Sequence, residues 1–190
     1  MTGPDRAAAG HPPAPAVAQL RAFIREHAVV RGPVVLSSGA TADWYADLRQ
    51  ATLSGTAARR LGPAMLDLTE EWEYESVGGL TSGADPVALA MAIAAADRGR
   101  RLDAFIVRKE AKRHGLQRRI EGPPISGRRV LVVEDVSTTG SSALTAVRAA
   151  REAGAVVVGV AAVLDRGGSV AIAAAGLGVR SLLQPTDLDA

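Results

Sequence analysis

The chain has 190 residues, a length that usually makes one domain and suffices to bury a real core. It has no cysteine, which excludes a disulfide framework, a thiolate nucleophile and a Cys-based zinc site. Its formal charge is +2, but nine basic and two acidic side chains fall within residues 98–119, so the rest of the chain is slightly acidic. This uneven charge argues against an extended nucleic-acid surface and for a compact anion site. The only lysines, Lys109 and Lys112, lie in that stretch; the other 20 basic residues are arginine. No apolar run approaches the ~18 residues of a membrane span, and the first residues lack the basic start and apolar stretch of a signal peptide. A soluble, cytoplasmic protein with no membrane partner is expected.

Residues 1–15, rich in Ala, Pro and Gly, read as a disordered tail. Val17, Leu20, Phe23, Ile24 and Val30 recur near helical spacing. PVVLSSG then reads as a strand ending in a polar turn, with TADWYADLRQ as its return strand. Ala51 to Leu68 reads as an amphipathic helix despite an internal Gly-Pro. EYESVGG predicts a short strand, and Asp85-Pro86 opens the apolar helix ALAMAIAAA. DAFIV is a strand. The stretch RKEAKRHGLQRRIEGPPISG, with its glycine breaks and paired prolines, reads as one long loop, and loops of that length are usually functional or disordered.

RRVLVVEDV is the clearest strand, its continuous VLVV run suiting a strand buried on both faces of a parallel sheet. A helix ALTAVRAAREAG ends at Gly154. AVVVGVAAVLD is a second buried strand, followed by a weak helix near Val170 to Ala175 and a last strand VRSLL. Strand and helix alternate from residue 73 onward, which predicts an α/β domain with a mostly parallel sheet.

The chemistry concentrates in VLVVEDVSTTGSSAL. An apolar strand leads into adjacent acids, Glu134 and Asp135, then into a small hydroxylated turn and a helix. Ligands of open parallel sheets bind beyond the carboxyl ends of the strands. The turn places backbone N–H groups and the hydroxyls of Ser137, Thr138, Thr139, Ser141 and Ser142 at a helix N-terminus, a phosphate cradle. No Gly-Lys-Ser/Thr follows, so it is not a Walker loop. A helix cap with two solvated acids is the plainer reading, but carboxylates directly after a buried run fit it poorly.

LVVEDVSTTGSS resembles the phosphoribosyl-diphosphate (PRPP) signature of type I phosphoribosyltransferases. Two further segments narrow the resemblance. FIVRKEAKRHG is similar to the Arg-Lys-x-x-Lys-x-His-Gly loop of orotate phosphoribosyltransferases, and VLSSGATADWYADLR to their N-terminal Ser-Gly…Tyr…Asp-x-Arg segment. VGGLTSGADPVA fits their central turn. The resemblance runs from about residue 33 to residue 168. It implies a type I phosphoribosyltransferase fold: a mostly parallel central sheet flanked by helices, with a small N-terminal hood at about 16–50 and a flexible catalytic loop at about 108–124, all within one domain over 16–190.

The implied reaction transfers ribose 5-phosphate from PRPP to orotate in UMP biosynthesis, giving orotidine 5′-monophosphate and pyrophosphate. Arg108, Lys109, Lys112 and His114 would bind the pyrophosphate, and the catalytic residues would be Lys112, Lys109, Asp135 and Glu134. Lys109 would act across the interface of a homodimer. Glu134 and Asp135 would hold the ribose hydroxyls, and the loop Val136, Ser137, Thr138, Thr139, Gly140, Ser141, Ser142 would take the 5′-phosphate. Thr138 and Arg166 would face orotate. Mg²⁺ would be the cofactor, held mainly by PRPP and not directly by the protein. Taken alone, Trp44 and Tyr45 read as core residues.

The sequence departs from the family where relatives often carry a basic residue, at Val30, Ala40 and Ser82; Arg31 is the candidate replacement near the first strand. Two alternatives share the PRPP loop: a purine-type phosphoribosyltransferase, and a non-catalytic PRPP-sensing regulator that binds nucleic acid. The first would not be expected to share the Lys-His loop. The second would need another basic surface, which the charge distribution does not supply.

Overall fold

The computed structural model describes residues 15–35, 41–110 and 119–188. The tail expected at 1–15 lies outside them up to residue 14. The first helix, α1 (Pro15–His27), buries Leu20 and Ile24 at the predicted spacing. β1 (Val29–Val35) and β2 (Thr41–Ala46) pair antiparallel as a two-stranded sheet separate from the main one. A single turn, α2 (Arg49–Thr52), then leads to α3 (Gly55–Leu68). The helix expected from Ala51 is thus two pieces, split where Leu53 and Ser54 break the pattern. Gln184 to Leu188 returns beneath this hood. The Arg31 Nη2 donates to the Leu188 carbonyl at 3.1 Å, Arg21 pairs with Asp187 at 3.5 Å, and Leu188 is buried in the same apolar cluster as Leu20 and Ile24. Arg31 is therefore engaged by the Leu188 carbonyl.

The main sheet has six strands in the order β5-β4-β3-β6-β7-β8. These are β3 (Ser76–Leu80), β4 (Asp103–Val107), β5 (Ile120–Glu121), β6 (Arg129–Ser137), β7 (Val156–Asp165) and β8 (Val179–Leu183). All neighbours are parallel except β5, which runs antiparallel to β4. Helices α4 (Ala84–Asp97), α5 (Ser141–Glu152) and α6 (Gly168–Ala174) make the crossovers. β6 is buried on both faces as expected. Leu131 and Val133 join the cluster that contains Met65 and Met91, while Val130 and Val132 join the one beneath α5 and α6. That alternation is the period-2 geometry of a strand.

Two sequence expectations change here. The long loop after DAFIV contains β5: Ile120 and Glu121 pair with Val107 and Ile106, and the Arg108 N–H bonds to the Arg119 carbonyl at 2.8 Å. Two residues are too few to leave a periodic signal, so only the ladder reveals them. The basic stretch is also not one unit. Arg98 pairs with Asp67 at 2.6 Å, and Arg100 donates to the Tyr74 carbonyl at 2.8 Å. Both precede the amino end of β4, whereas Lys109 follows its carboxyl end, so the excess is divided between opposite edges of the sheet.

Gly62, inside α3, faces the backbone of α4; a Cβ there would collide with the Ala90 carbonyl. Helix propensity alone would make Gly62→Ala stabilising by about 1 kcal/mol. The collision reverses the sign, and the variant should lose roughly 1–3 kcal/mol in urea unfolding.

Candidate active site

In the strand order, β3 connects through α4 to β4 on one side, while β6 lies on its other side and leads on to β7. Such a reversal opens a crevice at the carboxyl ends of the two strands. A cleft of about 360 Å³ lies there. Leu80 to Gly83 after β3 and Glu134 to Val136 of β6 line it, with Lys109 beyond β4, Arg166 beyond β7, and Thr138 and Ser142 at the start of α5. Tyr45 to Arg49 of the hood close one side.

The two acids sit at the rim of the core. Glu134 is pushed up to about 7, chiefly by burial and then by the charge of Asp135, against hydroxyl contributions from Ser142 and Ser137. Its Oε2 is buried without a hydrogen bond. Burial also raises Asp135, although its Oδ1 accepts the Val136 N–H at 2.9 Å and Arg49 opposes the rise electrostatically. Gly83 lies directly against that carboxylate: any Cβ at 83 would fall on it. A glycine is required there for the turn after β3 to approach β6.

The hydroxylated turn forms the mouth of α5. Gly140, at φ +74°, caps the helix in the left-handed region, which glycine adopts without the Cβ penalty. The Thr139 Oγ1 donates to the Ser141 Oγ at 3.0 Å and accepts the Ser141 N–H at 3.4 Å. Thr138, Thr139 and Ser141 are exposed. With the first-turn N–H groups of α5 directed outward, this end suits an anion. Ser137 is placed otherwise. It is 2% exposed, its hydroxyl packed against Gly168, while its carbonyl accepts the Arg166 N–H at 2.7 Å. It shapes the cleft from beneath.

The turn after β7 is held by buried Asp165, whose Oδ1 accepts the N–H groups of Gly167 at 3.0 Å and Ser169 at 3.2 Å. This fixes Arg166, whose guanidinium lies over the ring of Trp44 with Cζ 4.6 Å from the centroid. Arg108 points elsewhere: its Nη1 meets Glu121 Oε1 at 2.9 Å, and it does not line the cleft. Lys112 and His114 lie outside the described residues. Among the described residues no group of three or more His, Asp or Glu side chains converges as a metal site, and no helix is long and apolar enough to cross a membrane.

The cleft also holds residues to which the sequence assigned no role. Tyr45 lines it instead of serving only as core, and Trp44, though packed partly on the core, supports Arg166. Asp47 and Arg49 form an ion pair at 2.7 Å that holds the Asp47 carboxyl below its ordinary value. Thr81 donates to Asp85 at 2.7 Å, beside a cis peptide between Thr81 and Ser82. The Tyr…Asp-x-Arg segment and the Leu-Thr-Ser-Gly turn carried the signal for these positions.

A parallel sheet with acids at its switch point, an anion-binding helix mouth and a facing arginine describes a phosphoribosyltransferase, and the phosphoribosyl transferase domain model matches residues 57–171. The chain is 67% identical over 143 residues to the orotate phosphoribosyltransferase of Streptomyces avermitilis, covering 75% of this chain and 79% of that protein. A crystal structure of Mycobacterium tuberculosis H37Rv orotate phosphoribosyltransferase in complex with Fe(III) dicitrate aligns with a TM-score of 0.84 at 54% identity, covering 93% of this chain and all of that one. The same enzyme in complex with PRPP aligns with a TM-score of 0.80 at 50% identity, covering 92% of this chain and 99% of that one. The chain belongs to the orotate phosphoribosyltransferase family.

The raised Glu134 makes a pH prediction. A carboxyl whose folded pKa exceeds its ordinary 4.5 contributes stability that is present below that value and lost as pH rises toward 7. In ligand-free protein, Glu134→Gln should therefore match the wild-type melting temperature near pH 4.5. It should exceed it by several degrees above pH 7, the order of the roughly 3 kcal/mol that a rise from 4.5 to about 7 represents. Differential scanning calorimetry across that range checks it.

Proposed function

We infer that this chain transfers the 5-phosphoribosyl group of PRPP to orotate, giving orotidine 5′-monophosphate and pyrophosphate, as a step of pyrimidine synthesis in the cytoplasm. The supporting observation is the opposition, within one cleft, of a helix mouth suited to an anion and two buried-edge acids to a guanidinium that bonds no other group among the described residues. In this reading the mouth of α5, Thr138 to Ser142, binds the 5′-phosphate through backbone N–H groups and hydroxyls. Glu134 and Asp135 accept hydrogen bonds from the ribose hydroxyls, which satisfies the oxygen that burial leaves unpartnered. The Arg166 fork meets the orotate carboxylate, a planar group it can bind in two parallel bonds.

The bond between the anomeric carbon and pyrophosphate breaks, a bond to the orotate ring nitrogen forms, and the proton on that nitrogen is released. Lys109, with Lys112 and His114, receives the departing pyrophosphate. Mg²⁺, carried on PRPP's own oxygens, supplies further charge neutralisation for the leaving group. The donor set suits this: Glu134 and Asp135 have no third His, Asp or Glu converging with them among the described residues, a pair suited to hydroxyl groups more than to a bare ion. Arg108, held by Glu121, anchors the base of the loop and is not assigned to pyrophosphate.

The working form is proposed to be a homodimer. A groove lined by Leu53, Pro86, Leu89 and Ile106 shares Arg49 and Ser82 with the cleft. Leu53, Leu89 and nearby Ile93 are 72%, 56% and 56% exposed, an apolar face that a second copy would cover beside the cleft.

Orotate depletion, followed with PRPP and Mg²⁺, tests the activity; it should require both and stop on adding a chelator. A panel of purine bases should give no pyrophosphate release. Lys112→Arg should lower kcat at least about tenfold, because a planar guanidinium cannot follow the leaving group as a flexible ammonium does. Leu89→Asp should convert a dimer to monomer in sedimentation. Mixing inactive Lys109→Ala and Asp135→Asn subunits should restore activity if Lys109 acts across the interface, and restore none above that of either single variant alone if it serves the cleft of its own chain, which it lines.

A further inference from the structure

Trp44 lies on β2, opposite Arg31 in the hood ladder, and the Arg166 guanidinium covers its ring. Two other arginines stack on aromatic rings, Arg100 over Tyr74 at 4.3 Å and Arg180 over Trp72 at 4.9 Å. Each also engages its N–H groups. Arg100 donates to the Tyr74 carbonyl, and Arg180 to the Leu68 carbonyl and to Glu71. Arg166 differs. Among the described residues its guanidinium makes no hydrogen bond or ion pair, and it rests over the Trp44 ring.

The distinction has a chemical consequence. A carboxylate partner would hold the arginine as firmly, but it would occupy the fork that a planar carboxylate ligand needs. An aromatic face holds the cation from its flat side and leaves the edge, where the five N–H donors lie, open. The backbone of Arg166 is already fixed by Ser137 and by the turn that Asp165 caps. What Trp44 adds is the direction of the side chain. The support comes from the hood, while the arginine comes from the main sheet.

We propose that Trp44 is a positioning residue for the acceptor base: by stacking on Arg166 it aims an unengaged guanidinium fork at the carboxylate of orotate and sets affinity for the base without touching PRPP. This rests on the reading of orotate as acceptor. Initial-rate kinetics on the full chain test it. Trp44→Leu should raise KM for orotate about tenfold, the order of one desolvated cation–π contact, with KM for PRPP and kcat within about twofold. Trp44→Phe, which keeps a weaker ring face, should fall between. In an Arg166→Ala background Trp44→Leu should add no further rise in KM for orotate, since the stacking partner is gone.

A purely structural Trp44 would instead lower the melting temperature and change both KM values and kcat together, equally in either background. Equal rises in both KM values, an unchanged KM for orotate in both Trp44 variants, or full additivity with Arg166→Ala would each overturn the proposal. Should Trp44→Leu not fold, Trp44→Phe alone and combined with Arg166→Ala gives the same comparison. Failure of the unmutated chain to consume orotate would overturn the proposed function itself, a result separate from any of these.

Discussion

Two carboxylates at the edge of the core organise this molecule. Glu134 and Asp135 follow the apolar run of β6, which is buried on both faces, and among the described residues neither forms an ion pair. Removing a carboxylate from water without a partner is costly, and the rise of Glu134 to about 7 is the expression of that cost. Much of the surrounding architecture keeps the pair accessible to a ligand while excluding a protein side chain from the space above it. Gly83 brings the turn after β3 into contact with Asp135, Gly140 turns the chain into α5 beside Glu134, and Asp165 holds the next turn from below. Among the described residues the Glu134 Oε2 is left without a hydrogen bond, and a hydroxyl-bearing ligand is the kind of partner it lacks.

The arginines divide by what they do. Arg98 ties the end of α4 to α3, Arg100 and Arg128 secure the turns before β4 and β6, and Arg180 of β8 holds the end of α3, each through a carboxylate or carbonyl. Arg108 ties β4 to β5 in the same way, so the base of the loop after β4 is a small ribbon and not free chain. Arg166 is of another kind, supported by a ring and, among the described residues, making no hydrogen bond or ion pair through its guanidinium. Charge counted along the chain does not separate these uses, because a paired guanidinium and an unpaired one look alike in one dimension. The local excess at residues 98–119 spans both ends of a strand roughly 15 Å long, and of its described residues Lys109 alone lines the cleft.

Strands with strong apolar runs, β6 and β7 above all, were legible because burial on both faces leaves an uninterrupted pattern. The acids and the hydroxylated turn followed from their place after such a strand. Short or composite elements were not legible: β5 exists through pairing with β4, and α2 is one turn. The hood side of the cleft was hidden for another reason. Trp44 and Arg166 are joined by a contact between elements far apart in the chain, and an aromatic residue on a strand looks the same whether it fills a core or carries a cation. Ser137 shows the converse, a hydroxyl in the right motif whose side chain packs inward against Gly168. Lys112 and His114 belong to motifs that the sequence displays but lie outside the described residues.

The bond from Arg31 to the Leu188 carbonyl joins parts of the chain that the ribosome makes far apart in time. Leu188 fills the cluster beneath α1, and about 140 residues separate it from β2. At synthesis rates of roughly 5–20 residues per second, the hood waits on the order of ten seconds for its own floor. During that interval α1, β1 and β2 are translated but cannot complete their packing, while the strands of the main sheet emerge and pair. The hood, translated before the main sheet, is thus among the last parts of the chain to be finished.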